Sequence, residues 1–203
     1  METVQRFIYP ETLAEALDAL AAGREEARAI AGGTSLVFRK GRGCKALVDI
    51  TRLGLDEIRQ TDDGLTLGAC CRLQRVADAE ELEAPALRAL AEAASGAGSR
   101  GVRNAVTLGG NLAGYKRWSD TPIALMALGA TAHVEGDQAR DVGVGELLEK
   151  HPQTLLAPGE LITAFHVPGP AEGAGSAFVK IGTTEIDYAL VNAAARVVVD
   201  ADG

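Results

Sequence analysis

The spacing of apolar residues predicts a helix and two strands near the start of the chain. Apolar positions three and four residues apart indicate a helix over residues 8–22, and Thr12 with Glu15 matches the capping box that begins many helices. Two short apolar runs, residues 28–31 and 46–50, predict strands. This part of the chain therefore reads as a small α/β unit.

The middle of the chain alternates between predicted strands and predicted helices. Apolar runs at residues 58–61 and 65–69 flank the polar turn Asp62-Asp63-Gly64, which predicts a β-hairpin. Further helices are predicted over residues 72–80, 84–95 and 121–128, and further strands over residues 130–134 and 161–167.

A stretch rich in Gly, Pro and Ala, from Pro168 to Gly175, precedes two more predicted strands over residues 177–181 and 191–199. Two strands alone make a poor domain, so we expect a third unit that is cut short or completed elsewhere. The predicted organisation is an N-terminal α/β subdomain over residues 1–54, a second subdomain over residues 55–168, and a linker with the start of a third domain over residues 169–203.

Composition and charge narrow the classes of function. The chain has 203 residues, 47% of them hydrophobic, and a net charge of −8. It contains no cluster of basic residues of the kind that binds nucleic acid, so nucleic acid is not an expected partner. No apolar run reaches the roughly 18 residues of a transmembrane helix. The N-terminus also lacks the layout of a signal peptide, so a cytoplasmic location is expected.

The cysteines and histidines predict no metal site on this chain. Cys44, Cys70 and Cys71 form no C-x-x-C pair, and we expect reduced, small hydrophobic side chains, with the adjacent pair on opposite faces of a strand. Three cysteines cannot supply the four ligands of an iron–sulfur cluster. The three histidines are scattered without metal-ligand spacing.

Two glycine turns carry the clearest signal for chemistry. Each follows an apolar run, and each has a Gly-Gly pair beside hydroxyl or amide side chains: Ala31-Gly32-Gly33-Thr34-Ser35-Leu36 and Thr107-Leu108-Gly109-Gly110-Asn111-Leu112. Glycine permits positive φ and close approach of a ligand, and consecutive free N–H groups bind anions. Two such turns suit a ligand with two linked phosphates, and two plain hairpin turns are the alternative.

Neither turn matches the common phosphate-binding motifs. The sequence contains no Gly-Lys-Ser/Thr, which excludes a P-loop. The nearest approach to a dinucleotide fingerprint, Gly41-Arg42-Gly43, is followed by a predicted strand where that motif needs a helix. A less common nucleotide-binding fold is therefore expected.

The glycine turns belong to an ordered series of landmarks that is specific as a whole. From the N-terminus, the landmarks are Phe7-x-Tyr9-Pro10, residues 31–36, Leu47-Val48-Asp49-Ile50, Arg103-Asn104 with residues 107–112, Ser119-Asp120-x-Pro122, Pro158-x-Glu160-Leu161-Ile162, and Phe178-x-Lys180 with Asp187. In order and spacing the chain resembles the FAD-binding (medium) subunit of the molybdenum hydroxylases, the family of xanthine dehydrogenase, aldehyde oxidoreductase and carbon monoxide dehydrogenase type enzymes. The resemblance implies an α+β fold: two FAD-binding subdomains of the vanillyl-alcohol-oxidase or PCMH type, then the first strands of an incomplete C-terminal α+β domain.

The resemblance also implies which residues bind FAD. Contacts in the two turns are assigned to Ile30, Ala31, Gly32, Gly33, Thr34, Ser35, Leu36, Thr107, Gly109, Gly110 and Asn111. Their backbone N–H groups are expected to face the pyrophosphate, with hydroxyl donors from threonine and serine. Local capping of the turn is the alternative for those hydroxyls.

Four further residues complete the implied site. Asp120 falls where the family has a carboxylate that accepts hydrogen bonds from FAD hydroxyls, with capping of the following helix as its alternative role. Ile162 corresponds to an apolar contact with the cofactor, or to a core residue of its strand. Tyr188 is expected to stack on the isoalloxazine ring and limit access to it, with an ordinary surface or core tyrosine as the alternative. Lys180 would place a cation near the flavin, with a solvated lysine as the alternative.

The sequence departs from the family pattern in two places. Residues 183–185 lack an arginine that members often carry before the aspartate, and residues 114–119 replace a more usual stretch of small residues. The second departure contains Trp118, the single tryptophan of the chain, which marks a different ligand or partner surface.

The function implied by the resemblance is electron transfer. A molybdopterin-containing large subunit would oxidise the organic substrate, and a small subunit with two [2Fe–2S] clusters would relay electrons to the FAD of this chain. The assembly would be a hetero-oligomer, a dimer of heterotrimers, and no residue of this chain would act as a general base on the substrate. The alternatives are a stand-alone flavin oxidase of related fold and a module that binds nucleotide or a partner without flavin.

Overall fold

A computed structural model describes residues 4–38, 43–114, 116–149 and 156–199. Two positions of the excluded dinucleotide motif, Gly41 and Arg42, lie outside the described residues. The described chain forms three sheets: one of three strands, one of five strands and one of two strands.

The first sheet is parallel and carries the first glycine turn at one end. Its strands are β1 (Arg6–Ile8), β2 (Ala27–Ile30) and β3 (Ala46–Asp49), in the order β1-β3-β2. Helix α1 (Leu13–Gly23) begins later than predicted, because Ile8 pairs with Val48 in the sheet. The predicted cap is confirmed, since the Thr12 hydroxyl accepts the Glu15 N–H at 3.2 Å.

The second sheet is antiparallel and contains the predicted hairpin. Its strands are β4 (Ile58–Thr61), β5 (Gly64–Gly68), β6 (Thr131–Glu135), β7 (Arg140–Gly143) and β8 (Leu161–Pro168), in the order β4-β5-β8-β6-β7. Edge strand β7 was not predicted, because Arg-Asp-Val-Gly carries only one apolar residue and no alternation.

Short helices connect and cover these sheets. They are α2 (Thr34–Phe38), α3 (Leu73–Ala77), α4 (Arg88–Ser95), α5 (Arg100–Arg103), α6 (Leu108–Ala113), α7 (Thr121–Ala127) and α8 (Val144–Glu149), with 3₁₀ turns at Arg24–Glu26 and Glu80–Leu82. The helix predicted over residues 72–80 is therefore shorter, and the chain continues into a separate 3₁₀ turn. No helix among the described residues has the length and apolarity needed to cross a bilayer.

The third sheet is an antiparallel hairpin that packs on the second unit. Its strands are β9 (Ala174–Ile181) and β10 (Val191–Val198). The Ser176 N–H donates to the Pro85 carbonyl at 2.8 Å, and the Phe178 N–H donates to the Glu92 carboxylate at 2.9 Å. These bonds hold β9 against α4, and β10 packs on α7.

Two hydrophobic cores lie on either side of the turn that contains Cys70 and Cys71. Cys70 packs in the smaller core, with α1 and the first sheet, and Cys71 packs in the larger core, with the five-stranded sheet. The two adjacent thiols therefore face opposite sides, as predicted, but the prediction of a strand is wrong, because β5 ends at Gly68 and the pair lies in the turn that follows. All three cysteines are free and buried, and burial raises the pKa of Cys70 and of Cys71 to about 11.

Candidate functional site

The first glycine turn links β2 to α2 and leaves its backbone donors open. Gly33 has φ of +69°, a conformation that favours glycine. Among the described residues, the backbone N–H groups of residues 32–35 donate to no protein acceptor, and the hydroxyls of Thr34 and Ser35 form no capping bond. These open donors are what the sequence predicted for an anion-binding turn.

The two glycine turns lie side by side, although they are well separated along the chain. A Cβ atom added to Gly32 would come 2.0 Å from the Ala105 carbonyl oxygen, two residues before the second turn. A Cβ added to Gly114, at the end of α6, would lie 2.7 Å from the Ser35 hydroxyl. The fold therefore brings the first turn against both flanks of the second.

The second glycine turn is the first turn of helix α6. Thr107 is the N-cap, and its hydroxyl accepts the Gly110 N–H at 3.2 Å. The Gly109 N–H donates to the Ala69 carbonyl at 2.8 Å, and the Asn111 N–H donates to the Thr107 carbonyl at 2.8 Å. The expectation that these backbone groups face a ligand is therefore wrong for residues 108–111, whose N–H groups are already used.

Gly109 and Gly110 of α6 allow close packing. Neither residue has positive φ, so backbone conformation does not require glycine there. A Cβ on Gly109 would lie 2.7 Å from the Ala69 Cβ, and a Cβ on Gly110 would lie 2.7 Å from the Thr107 hydroxyl. The groups that remain for a ligand in this turn are the Thr107 hydroxyl hydrogen and the side-chain amide of Asn111.

A hydrogen bond connects the second turn to Thr121, the residue after Asp120. The Thr121 hydroxyl donates to the Asn111 side-chain oxygen at 2.9 Å, and Thr121 is the first residue of α7. Asp120 directly precedes that helix but makes no side-chain capping bond. Its carboxylate instead accepts a hydrogen bond from the Asn192 side-chain amide at 2.8 Å.

Asp120 and Lys180 form a buried pair of opposite charges. The Lys180 ammonium lies 3.6 Å from the Asp120 carboxylate, and the two side chains are only 10% and 5% exposed. Burial raises the pKa of Asp120 above its usual range, while the Asn192 hydrogen bond and the Lys180 charge oppose that rise. The site therefore holds a carboxylate in a place with little water.

Lys180 is a buried cation that contacts protein oxygens, so it is not the solvated surface lysine that was the alternative. Its ammonium donates to the Gly96 carbonyl, and to the Asp187 carbonyl at 3.1 Å. With Asp120 nearby, the three donors of the ammonium face three protein oxygens. Lys180 therefore holds Asp120 and the residue before Tyr188 in place.

Tyr188 contacts Trp118 and remains exposed. The two ring centroids lie 4.9 Å apart with an interplanar angle of 47°. The other assigned residue, Ile162, is 3% exposed within the larger core, where it pairs with Val134 across β8 and β6. The described contacts bring together the two turns, Asp120 and Tyr188, and leave Ile162 in the core.

Two residues of this region were missed in the sequence. The Arg72 guanidinium donates to the Ala105 carbonyl at 2.5 Å and lies beside Gly32, so a cation sits where the two turns meet. Asn192 holds Asp120 from a strand 72 residues further along the chain. Neither residue belongs to a motif. Burial alternates along β10 and places Asn192 on the half-buried face, but the sequence Val-Asn-Ala-Ala-Ala-Arg-Val-Val shows no matching alternation of polar and apolar residues.

A family model and individual relatives place this chain in the same family. Residues 2–170 match the model of the "FAD binding domain in molybdopterin dehydrogenase". The chain is 35% identical to the 6-hydroxypseudooxynicotine dehydrogenase complex subunit alpha of Paenarthrobacter nicotinovorans, over 97% of this chain and 68% of that one. It is 32% identical to the carbon monoxide dehydrogenase medium chain of Afipia carboxidovorans, over 96% and 68% of the two chains.

Solved structures give the same result. A chain of carbon monoxide dehydrogenase from Oligotropha carboxidovorans matches with a TM-score of 0.91 at 28% identity, over 99% of this chain and 72% of that one. Quinoline 2-oxidoreductase from Pseudomonas putida 86 matches with a TM-score of 0.86 at 29% identity, over 96% and 68% of the two chains. The chain spans about two thirds of the length of these relatives. It belongs to the FAD-binding medium subunits of the molybdenum hydroxylases, a family of oxidoreductases, and its cofactor is FAD.

Proposed function

We propose that this chain accepts electrons from the [2Fe–2S] clusters of a small partner subunit and passes them to a terminal acceptor. The observation that carries the proposal is the run of contacts from the first glycine turn, through α6 and Asp120, to Tyr188. When bound, the flavin supplies the redox chemistry, and the protein supplies binding, orientation and electrostatics.

The residues of the glycine turns fit the diphosphate of FAD. The N–H groups of residues 32–35 have no protein acceptor among the described residues, and the hydroxyls of Thr34 and Ser35 are open beside them. Arg72 adds a positive charge at the junction of the two turns. The proposed contacts of the first turn are Ile30, Ala31, Gly32, Gly33, Thr34, Ser35 and Leu36, and those of the second are Thr107, Gly109, Gly110 and Asn111.

Four of the assigned residues would act in particular ways. Gly109 and Gly110 would serve by allowing close packing beneath the ligand, because their N–H groups are used within the protein. Asp120 would accept hydrogen bonds from FAD hydroxyls through the lone pairs that the Asn192 amide leaves open. Ile162 would contribute through the core, where its side chain is buried.

The flavin end of the proposed site lies near the β9–β10 loop. Tyr188 would cover one face of the isoalloxazine ring and exclude water from it. Lys180 would act indirectly, by holding other residues of the site, because its ammonium already contacts two carbonyl oxygens and the Asp120 carboxylate. The proposed role of these residues is to orient the ring and control access to it.

The names of the relatives support a multi-subunit assembly. The carbon monoxide dehydrogenase relative is called a medium chain, and the relative from Paenarthrobacter nicotinovorans is called a subunit of a complex. We therefore propose a hetero-oligomer with a molybdenum-cofactor large subunit and a [2Fe–2S] small subunit, as a dimer of heterotrimers. We also propose two FAD-binding subdomains of PCMH type, over residues 1–54 and 55–168, and a third unit that begins at residue 169.

The test is expression of the chain with and without its candidate partner subunits, followed by visible spectroscopy. The expected result is a flavin spectrum, and its bleaching when substrate is added to the assembled complex. A complex that reduces its iron–sulfur clusters with substrate but leaves the flavin oxidised would contradict the proposed electron path. A chain that joins the complex without flavin would favour the partner-binding alternative.

A further inference from the structure

The aromatic pair of Trp118 and Tyr188 joins a residue from one of the two departures from the family pattern to a residue of the implied FAD site. Trp118 is the single tryptophan of the chain and lies two residues before Asp120. The side chains of Trp118 and Tyr188 are 40% and 64% exposed, and their ring centroids are 4.9 Å apart. Each ring therefore keeps a free face while it contacts the other.

Polar contacts fix the backbone on both sides of this pair. The Asn192 amide donates to the Asp120 carboxylate at 2.8 Å and to the Ser119 carbonyl at 3.3 Å. The Lys180 ammonium donates to the Asp187 carbonyl at 3.1 Å. These bonds bring the residue after Trp118 and the residue before Tyr188 to neighbouring positions.

These backbone contacts do not involve the Tyr188 ring, and among the described residues the ring pairs with only one other aromatic side chain. An exposed tyrosine samples several rotamers, whereas contact with a second ring favours those that keep the two together. We propose that Trp118 is a positioning residue that holds the Tyr188 ring over the flavin. This inference rests on the proposed function, in which Tyr188 covers the isoalloxazine.

The contact is tested first without cofactor. Trp118 is the sole source of tryptophan fluorescence, so the emission of the apo-protein reports on its surroundings alone. Tyr188→Ala is expected to change the Trp118 emission lifetime and the near-ultraviolet circular dichroism. Unchanged signals would show that the two rings are not in contact in solution and would overturn the inference.

The positioning role is tested with FAD-loaded protein and three variants. Trp118→Ala is expected to raise the ratio of uncovered to covered flavin about two- to tenfold, the range of one aromatic pair. Flavin fluorescence and the rate of reoxidation by oxygen should both rise, and FAD affinity should stay within about twofold of the parent because Asp120 and the glycine turns are intact. Trp118→Phe should restore the parent values.

Phe7→Ala is the matched control, since Phe7 is 55% exposed and stacks on Tyr9 at 6.4 Å, in a second aromatic pair. It should leave the flavin signals unchanged. Parent-like signals in Trp118→Ala, or loss of FAD binding in that variant, would each overturn the positioning role. If the parent chain itself takes up no FAD, the proposed function fails, and the apo measurement still decides whether Trp118 contacts Tyr188.

Discussion

Replacing Asp120 with alanine should weaken the binding of FAD and lower the stability of the apo-protein. The carboxylate is 5% exposed, accepts a 2.8 Å hydrogen bond from Asn192 and lies 3.6 Å from the Lys180 ammonium. A hydrogen bond to a charged group contributes about 1.5–3 kcal/mol, and removal of one partner from a buried ion pair costs about 3–5 kcal/mol. Lys180 keeps two carbonyl acceptors, so we expect the lower end of that range, about 3 kcal/mol of apo stability.

The loss of FAD affinity should be about 1–3 kcal/mol, because a buried charged acceptor of cofactor hydroxyls is removed. Urea unfolding of the apo-protein and equilibrium titration with FAD measure the two effects separately. Asn192→Ala should lower apo stability by about 1 kcal/mol and weaken FAD binding less than Asp120→Ala, since the carboxylate remains. Asp18→Ala, which removes an exposed carboxylate on α1, should change neither.

Parent-like FAD affinity in the Asp120→Ala variant would refute the assignment of Asp120 to the cofactor. Parent-like apo stability would refute the buried pair with Lys180. A loss of stability without a loss of affinity would make Asp120 a structural residue that links the β9–β10 hairpin to the start of α7.

The remaining predictions concern three other parts of the molecule. Gly33→Val should lower the free energy of unfolding by about 1–3 kcal/mol, because φ is +69° there, and should also prevent FAD uptake. Urea unfolding measures the first effect and a visible spectrum the second. Full flavin occupancy would contradict the role of the first turn. Gly110→Val should lower the free energy of unfolding by about 1 kcal/mol, because the new Cβ would displace the Thr107 hydroxyl from its capping position. FAD affinity should fall as well. An unchanged free energy of unfolding would contradict the capping role of Thr107. His133→Gln should remove a pH-dependent part of the stability. The hydrogen bond that the His133 ring donates to the Asp141 carboxylate raises the pKa of His133, so this part is present below the unfolded value of 6.5 and lost as pH rises through the folded pKa. Unfolding curves at several pH values that differ from the parent by a constant amount would contradict that assignment.

Local signals in the sequence were enough for the elements whose residues interact with near neighbours. The cap at Thr12 and the hairpin around Asp62-Asp63 both form as predicted, because their hydrogen bonds lie within a few residues. The first glycine turn also has the open donors that its sequence suggested. Each of these depends on backbone conformation that a short sequence specifies.

Contacts between distant parts of the chain explain what the sequence did not give. The second Gly-Gly pair looks like the first in sequence, yet its N–H groups bond to Ala69 and Thr107 because α6 packs on the turn after β5. Asn192 and Arg72 reach the site from elements that carry no motif. For Lys180 the sequence left open a place near the flavin or a solvated side chain, and the packing of β9 on α4 buries the side chain, which excludes only the second.

The central claim is that two adjacent glycine turns bind the diphosphate of FAD, and one comparison of affinities tests it most directly. Equilibrium titration of the apo-chain with FAD and with FMN, which lacks the AMP half and with it the second phosphate, measures what that half contributes to binding, and the same titration of Gly33→Val shows how much of it depends on the first turn. FAD should bind at least about tenfold more tightly, because each hydrogen bond to a charged phosphate oxygen is worth about 1.5–3 kcal/mol. Equal affinity for the two flavins would contradict the claim.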